Sequence, residues 1–126
     1  MKEEIRNLEG QGESDYDFVN DILFFKVKDR SYERSLEFDN IVIDLDTEDF
    51  ITGIQIFDAS EFLSMGKNEL KAISRWKFRA SMTPGRIEVR VFFQIIKRNK
   101  TIEKNPIIVE HTHLKLPRSE VMCEIT

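Results

Sequence analysis

Four carboxylates lie close together between positions 42 and 58, where the chain reads VIDLDTEDFITGIQIFD: Asp44, Asp46, Glu48 and Asp49. Carboxylate oxygens are the ligands that Ca²⁺ and Mg²⁺ prefer, so Asp44 and Asp46 are candidate metal ligands. An EF-hand calcium loop counted from Asp44 would need glycine at its sixth position and glutamate at its twelfth, but the chain has Asp49 and Gln55. The sequence therefore excludes that loop. A looser cation site and the solvated tip of a β-hairpin remain, and we favour the hairpin.

Two histidines and one cysteine are the other residues that could carry chemistry. His111 and His113 would project from the same side of a strand, a spacing that some metal sites use, or they are an exposed pair. Cys123 cannot form an internal disulfide and indicates a reducing, cytoplasmic compartment. The sequence contains neither a phosphate-cradling glycine loop nor a nucleophile elbow. We therefore predict no catalytic residues and no cofactor, with a metal-dependent enzyme using the acidic cluster as an alternative.

Basic residues are concentrated in the second half of the chain. Residues 1–65 hold 6 Lys and Arg against 17 Asp and Glu, whereas residues 66–126 hold 13 against 6. This asymmetry favours docking of the halves on each other or on a second copy, and it leaves room for an acidic partner. A basic face that includes Phe92 would suit RNA or DNA, and its candidate residues are Lys77, Arg79, Arg86 and Arg90.

The apolar residues alternate in a way that predicts β-hairpins. Ile41, Ile43 and Leu45 share one face of a strand, and a turn at residues 47–49 brings back the strand FITGIQIF. This register places Leu45 opposite Thr52, Ile43 opposite Ile54 and Ile41 opposite Ile56, and it requires Asp49 to adopt the left-handed conformation. Gly53 inside the returning strand predicts a bulge or a close backbone approach.

Short helices follow this first hairpin. Asp58 is predicted to cap a helix with Glu61 reaching back to it, and Gly66 would end that helix. A second short helical pattern, KNELKAIS, comes next.

A second hairpin is predicted to turn at Pro84 and Gly85. The proposed register joins apolar residues in four pairs: Met82 with Ile87, Ala80 with Val89, Phe78 with Val91, and Trp76 with Phe93. A last strand over about 101–111 contains Pro106 and so belongs at a sheet edge. We expect the chain from Leu114 onward to be peripheral.

These patterns predict an α+β fold, built mostly of antiparallel strands in two hairpin units with one or two short helices between them. Residues 1–14 are expected to form a flexible leader and residues 15–126 a single domain, divided into units 15–65 and 66–126. No stretch is apolar enough to cross a membrane, so we expect no membrane partner.

One segment resembles a known family. The motifs are YDFVNDILFFKV from Tyr16 and FDNIVIDLDTEDFITGIQIFDAS, which is similar to the family's pattern of an Asp-x-Asp pair, a GIEI-like strand and an Ala-Ser helix start. The resemblance is to the domain-of-unknown-function family 2283 of small prokaryotic and archaeal proteins. It spans residues 16–63, with Asp49 in place of the turn glycine and Gln55 in place of the usual glutamate. The family implies no activity, although some short members are similar to antitoxins.

The leading functional hypothesis is an interaction module. Some residues are apolar on the second side of their strands, which suggests burial by another surface: Ile22, Phe24, Phe92 and Ile96. We expect a homodimer or an antitoxin-like complex with a protein partner, and nucleic-acid binding is the competing hypothesis.

Overall fold

The computed structural model describes residues 5–125, except for the side chain of residue 125. These residues form one ten-stranded sheet with two short helices. The elements are β1 (Arg6–Asp17), β2 (Ile22–Val27), β3 (Tyr32–Glu37), β4 (Ile41–Asp46), β5 (Ile51–Ile56), α1 (Ala59–Phe62), α2 (Lys67–Lys71), β6 (Ile73–Thr83), β7 (Arg86–Lys97), β8 (Lys100–Lys104), β9 (Ile107–His111) and β10 (Ser119–Ile125). No helix in this part of the chain is long and apolar enough to span a bilayer.

The strand order is β3-β4-β5-β2-β1-β10-β6-β7-β8, and β9 also pairs with β7. β1 and β10 run parallel, and the other pairs are antiparallel. The prediction of a mostly antiparallel sheet with short helices is confirmed. The prediction of two hairpin units underestimates the number of strands, because the sheet contains ten and is mixed.

Both ends of the described chain lie in the middle of the sheet, which corrects two expectations. Residues 6–14, assigned to a flexible leader, belong to β1, while residues 1–4 lie outside the described residues. The segment after Leu114, expected to be peripheral, contains β10, whose Val121 and Cys123 are fully buried. Half of the inward-facing residues of β1 are small, namely Gly10, Gly12 and Ser14, so its alternation carries little apolar signal. That the remainder forms one domain stays a prediction.

The sheet curls so that its two halves share one core. Neighbouring strands are ~4.8 Å apart, so β2 and β6, with β1 and β10 between them, would lie ~14 Å apart in a flat sheet. The ring of Phe25 on β2 nevertheless lies 4.8 Å from that of Trp76 and 6.1 Å from that of Phe78, both on β6. The apolar face of one half therefore packs against that of the other.

The first hairpin has most of the predicted register. Ile41 pairs with Ile56 and Ile43 with Ile54, and Asp49 adopts the left-handed conformation with φ of 62°. Leu45 pairs with Ile51 instead of Thr52, because a β-bulge shifts the register after Asp44. Bulges insert one extra residue into a strand, and sequence alternation alone does not reveal where.

Gly53 lies next to this bulge and makes a close approach. A Cβ atom at position 53 would lie 2.6 Å from Oδ2 of Asp44, its cross-strand neighbour. The Asp44 side chain thus occupies the space that any larger residue would fill, which explains the glycine within the strand.

The second hairpin has all four predicted apolar pairs. The predicted edge strand appears as β8 and β9, which pair with the same side of β7 in one unbroken register, since Lys104 faces Phe93 and Ile107 faces Arg90. Pro106 lies between them and accepts a hydrogen bond from Val91 N–H at 3.0 Å.

The helices begin and end differently from the prediction. Asp58 is the N-cap residue of α1, but its side chain makes no capping hydrogen bond. Gly66 is the N-cap residue of α2, and its N–H donates to Glu69 Oε1 at 3.1 Å. The cap of α1 comes from a residue far away in sequence, which local patterns cannot indicate.

Gly53→Ala should destabilise the protein by about 1–3 kcal/mol, because the added methyl group overlaps the Asp44 carboxylate. Urea denaturation measures the free energy of unfolding. Gly66→Ala is the matched control, with an expected change below ~1 kcal/mol, since Ala is less favourable than Gly at an N-cap but the nearest neighbour would be a flexible Glu69 oxygen at 3.4 Å. Equal stability of the two variants would contradict the close approach.

Candidate functional site

Asp46 is fully buried and holds the turn of the first hairpin together. Its Oδ1 accepts hydrogen bonds from the backbone N–H of Glu48 at 2.8 Å and of Phe50 at 2.9 Å. Its Oδ2 accepts from Arg30 Nε at 2.7 Å, and Arg30 also pairs with Glu48. The hydrogen bond to Asp46 raises the pKa of the Arg30 guanidinium. The carboxylate is thus satisfied by the protein itself.

Asp44 is held in a similar way. Its Oδ1 accepts a hydrogen bond from Ser35 Oγ at 2.7 Å, and Ser35 shares a second hydrogen bond with the Tyr32 hydroxyl. Among the described residues, no group of three or more His, Cys, Asp or Glu side chains could hold a metal ion. The carboxylates that the sequence offered as metal ligands have structural partners, with Asp44 lying over Gly53 and Asp46 bonded within the turn.

Two arginines enclose the aromatic ring that follows this turn. The Arg6 guanidinium lies 4.4 Å from the Phe50 ring centroid and the Arg30 guanidinium 5.5 Å from it. Arg6 Nη1 also donates to the Glu48 carbonyl at 2.6 Å, which ties β1 to the hairpin. Sequence reasoning missed Arg6, because it lay within the expected leader.

Asp21 joins three separate segments through its carboxylate. Oδ1 accepts from the Tyr16 hydroxyl at 2.6 Å and from Ser60 N–H at 3.1 Å, and Oδ2 accepts from Ser60 Oγ at 2.6 Å. Its carbonyl accepts from Ala59 N–H at 3.0 Å. Asp21 therefore caps α1 in place of Asp58, and it connects the β1–β2 turn to the end of β5.

This environment changes the acidity of both partners. Burial alone would raise the pKa of Asp21, but the hydrogen bonds from Ser60 and Tyr16 outweigh it and place the pKa below its usual value. Burial and then the hydrogen bond to Asp21 raise the pKa of the Tyr16 hydroxyl well above its usual range. Asp21 is thus held as an acceptor and Tyr16 as a donor, the protonation states of a structural pair.

The remaining candidates for chemistry are separate from one another. His111 and His113 are both exposed, the first at the end of β9 and the second beyond it. Cys123 is fully buried, and burial followed by the Glu124 charge raises its thiol pKa to about 11. Such a thiol is a poor nucleophile at neutral pH.

The predicted basic face is crossed by acidic side chains. Arg79 and Arg90 lie directly opposite each other, as predicted, and are accompanied by Glu120 and Glu88 respectively. Glu120 comes from β10, so the acidic partner of Arg79, like that of Arg90, belongs to the second half of the chain. Two arginine charges on this face are therefore partly balanced.

A groove of about 380 Å³ opens on this side, and its lining includes Arg75, Lys77, Phe92, Gln94, Glu103 and Glu124. Lys77 Nζ lies 5.1 Å from the Phe92 ring centroid. Arg86 is exposed and lies outside the groove, opposite His111. The groove carries both signs of charge, so its field does not single out an anionic ligand.

The four apolar residues expected at an interaction surface differ in exposure. Ile22, Phe24 and Phe92 are half-buried, and Ile96 is 63% exposed. Phe24 lies between Asp15 and Gln55 on the neighbouring strands, so polar residues flank it. The four do not form one patch, since Ile22 and Phe24 lie on β2 and the other two on β7.

A different apolar surface lies on β9, where Ile107 is 52% exposed and Val109 39% exposed. We name residues 100–111 the β8–β9 edge. No other described strand pairs with its outer side. The sequence predicted an edge strand at this position. It did not predict that Ile107 and Val109 would be exposed, because that depends on which face of the strand is turned toward the core.

The hydrogen-bonding pattern shows which backbone groups this edge offers. Pro106 O accepts from Val91 N–H, and Thr112 N–H donates to Gly85 O, so even-numbered residues bond to the hairpin. Antiparallel ladders alternate, so Ile107, Val109 and His111 direct their N–H and C=O groups away from β7. Pro106 lacks its N–H on the inner side only, so it leaves the outer side intact.

Comparison with known proteins places the chain in a family. Residues 14–60 match the family described as a protein of unknown function, DUF2283. A Methanosarcina mazei protein with the provisional name hypoxanthine phosphoribosyltransferase is 31% identical over 111 residues, which cover 88% of this chain and 90% of that protein. An uncharacterized protein of Methanocaldococcus jannaschii is 27% identical over 109 residues, which cover 86% and 94%. No solved structure matches significantly.

The chain belongs to the same family as the Methanosarcina protein, and its residues 14–60 form the domain of unknown function 2283. In the structure, the motif residues of this domain form two sets of contacts. Tyr16 and Asp21 bond to each other and Asp21 to Ser60, while Asp44 lies over Gly53. These contacts give the spacing of the motif a structural reason.

Asp46→Ala should lower the free energy of unfolding by about 3 kcal/mol, because it leaves two backbone N–H groups without their acceptor and removes the buried one of the two carboxylate partners of Arg30. Urea denaturation provides the measurement. Glu48→Ala removes the other, 62% exposed, carboxylate partner of Arg30 and should cost less than ~1 kcal/mol. A rise in Tm with Ca²⁺ or Mg²⁺ that Asp46→Ala abolishes would instead support the metal site.

The stability contributed by Asp21 should be lost at acid pH. Its folded pKa lies below the unfolded value of ~3.9, so the contribution is full above that value and disappears as the pH falls through the folded pKa. The difference in free energy of unfolding between the wild type and Asp21→Asn should therefore shrink as the pH falls. Asp29→Asn, at an exposed aspartate with the same left-handed backbone, is the control. A difference that is independent of pH would contradict this role.

Proposed function

We propose that this protein is a cytoplasmic, non-enzymatic protein-interaction module that binds by adding a strand to its β8–β9 edge. The observation that carries the proposal is the unpaired outer side of this edge together with the exposure of Ile107 and Val109. Backbone hydrogen bonds supply affinity in strand addition, and alternate side chains supply specificity. A homodimer and an antitoxin-like complex are two forms of this function.

The opposite edge of the sheet supports the choice of β8–β9. β3 reads YERSLE, and its register is broken by an irregularity between Tyr32 and Arg34. Charged residues and bulges are the features by which proteins protect an edge strand against pairing. β9 reads IIVEH and keeps a regular register, so it has less of this protection than β3, and most charged residues of its edge lie on β8.

Two alternatives have less support. Phosphoribosyl transfer, the activity in the name of the Methanosarcina relative, requires groups that hold a pyrophosphate, such as a long helix N-terminus or a glycine-rich loop. The helices here span four and five residues, and the acidic pair is bonded within the protein. Nucleic-acid binding would use Lys77, Arg79, Arg86 and Arg90, of which two have acidic partners.

A labelled peptide with the sequence of residues 101–113 tests strand addition. We expect it to bind with saturation in fluorescence anisotropy and to slow amide hydrogen exchange at Ile107, Val109 and His111, because their N–H groups become donors to the added strand. A peptide of the same composition in scrambled order is the control.

Val109→Pro removes one of these outward N–H groups while leaving the bonds to β7 in place, and proline is tolerated at such an edge position. It should abolish peptide binding. Glu37→Pro, which changes an outward position on the β3 edge, should not affect it. Equal binding by all three proteins would show that the peptide uses another surface and would contradict the proposal.

A further inference from the structure

We infer that the β8–β9 edge pairs with the same edge of a second copy, in an antiparallel register centred on Ile107. This inference rests on the proposed function and names its partner. Ile107 is the most exposed apolar residue of β9, and the register places it against Ile107 of the second copy. Such an interface is two-fold symmetric and closed, so it produces a dimer and stops.

The register satisfies the backbone. Odd-numbered residues direct their N–H and C=O groups outward along the edge, as the bonds of Pro106 and Thr112 to the hairpin show. Centring on Ile107 pairs odd-numbered residues with odd-numbered residues: Val109 with Asn105, and His111 with Glu103. Each outward group therefore meets an outward group of the second copy, as an antiparallel ladder requires.

The charges favour this register over those centred on Ile108 and Val109. Centring on Ile107 places Lys104 directly opposite Glu110 of the second copy, and Glu103 opposite His111. Within the described residues, neither Lys104 nor Glu110 has an ion-pair partner of its own. Opposite charges facing each other across a ladder stabilise the pair, and this happens twice because of the symmetry.

Shifting the centre by one or two residues toward the C-terminus loses these contacts. Centring on Ile108 places Lys104 opposite Thr112 and Glu110 opposite Pro106, so neither charge meets its opposite. Centring on Val109 places Glu110 opposite the buried Ile108, which sets a charge against an apolar side chain. The sequence of the edge is thus self-complementary in one of these three registers.

Charge exchange between Lys104 and Glu110 tests the inference by analytical ultracentrifugation over a range of concentrations. The wild type should dimerise. Lys104→Glu and Glu110→Lys should each weaken the dimer about tenfold, since two symmetry-related like-charge contacts replace two attractive ones. The double variant K104E/E110K should restore the wild-type dissociation constant, because each exchanged charge again faces its opposite. Val109→Pro should be monomeric and Glu37→Pro dimeric.

The possible results distinguish a failure of this inference from a failure of the proposed function on which it rests. A monomeric wild type that still binds the 101–113 peptide would overturn the second copy as partner but leave strand addition intact. A dimer that survives Val109→Pro, or a double variant as weak as the single ones, would place the interface elsewhere or in another register, and would overturn the inference. A monomer that binds no peptide would overturn both.

Discussion

The structure depends on one constraint. Its broad sheet has one apolar face, and the chain has few other elements that could cover that face. The two helices, of four and five residues, are too short to shield ten strands from water. The sheet therefore curls until Phe25 on β2 contacts Trp76 and Phe78 on β6. Burial of this shared face supplies the main driving force for folding, and it requires the central strands to tolerate the curvature.

The need for curvature in the centre of the sheet explains the composition of β1 and the central position of β1 and β10. β1 turns glycine residues toward the core at positions 10 and 12, and a Cβ on Gly10 would lie only 2.9 Å from Val27 Cγ1. β10 then joins the two halves by pairing parallel to β1 and antiparallel to β6. Residues from the start and the end of the chain thus close the gap between two hairpin systems that are far apart in sequence.

Three aspartates hold this arrangement in place. Asp46 secures a turn, Asp44 fills the space beside Gly53, and Asp21 fastens the β1–β2 turn to α1. Within residues 5–125, backbone groups without a strand partner remain along the β8–β9 edge and along β3. A curled sheet that is not closed on itself has two edges, and here the irregular, charged β3 contrasts with the regular, apolar β9. The association that we propose at this edge would use the same hydrogen-bonding rule that builds the sheet.

The sequence determined the local pairing. The register of the second hairpin, most of the first and the left-handed Asp49 follow from alternation and turn chemistry, and the edge position of the strand with Pro106 follows from the missing N–H of proline. Only the tertiary structure decided what depends on distant segments. The capping of α1 by Asp21, the contact of Arg6 with Phe50 and the central position of β1 and β10 join residues far apart in the chain. Periodicity reports which side of a strand is apolar, but it carries no information about which strands will be neighbours.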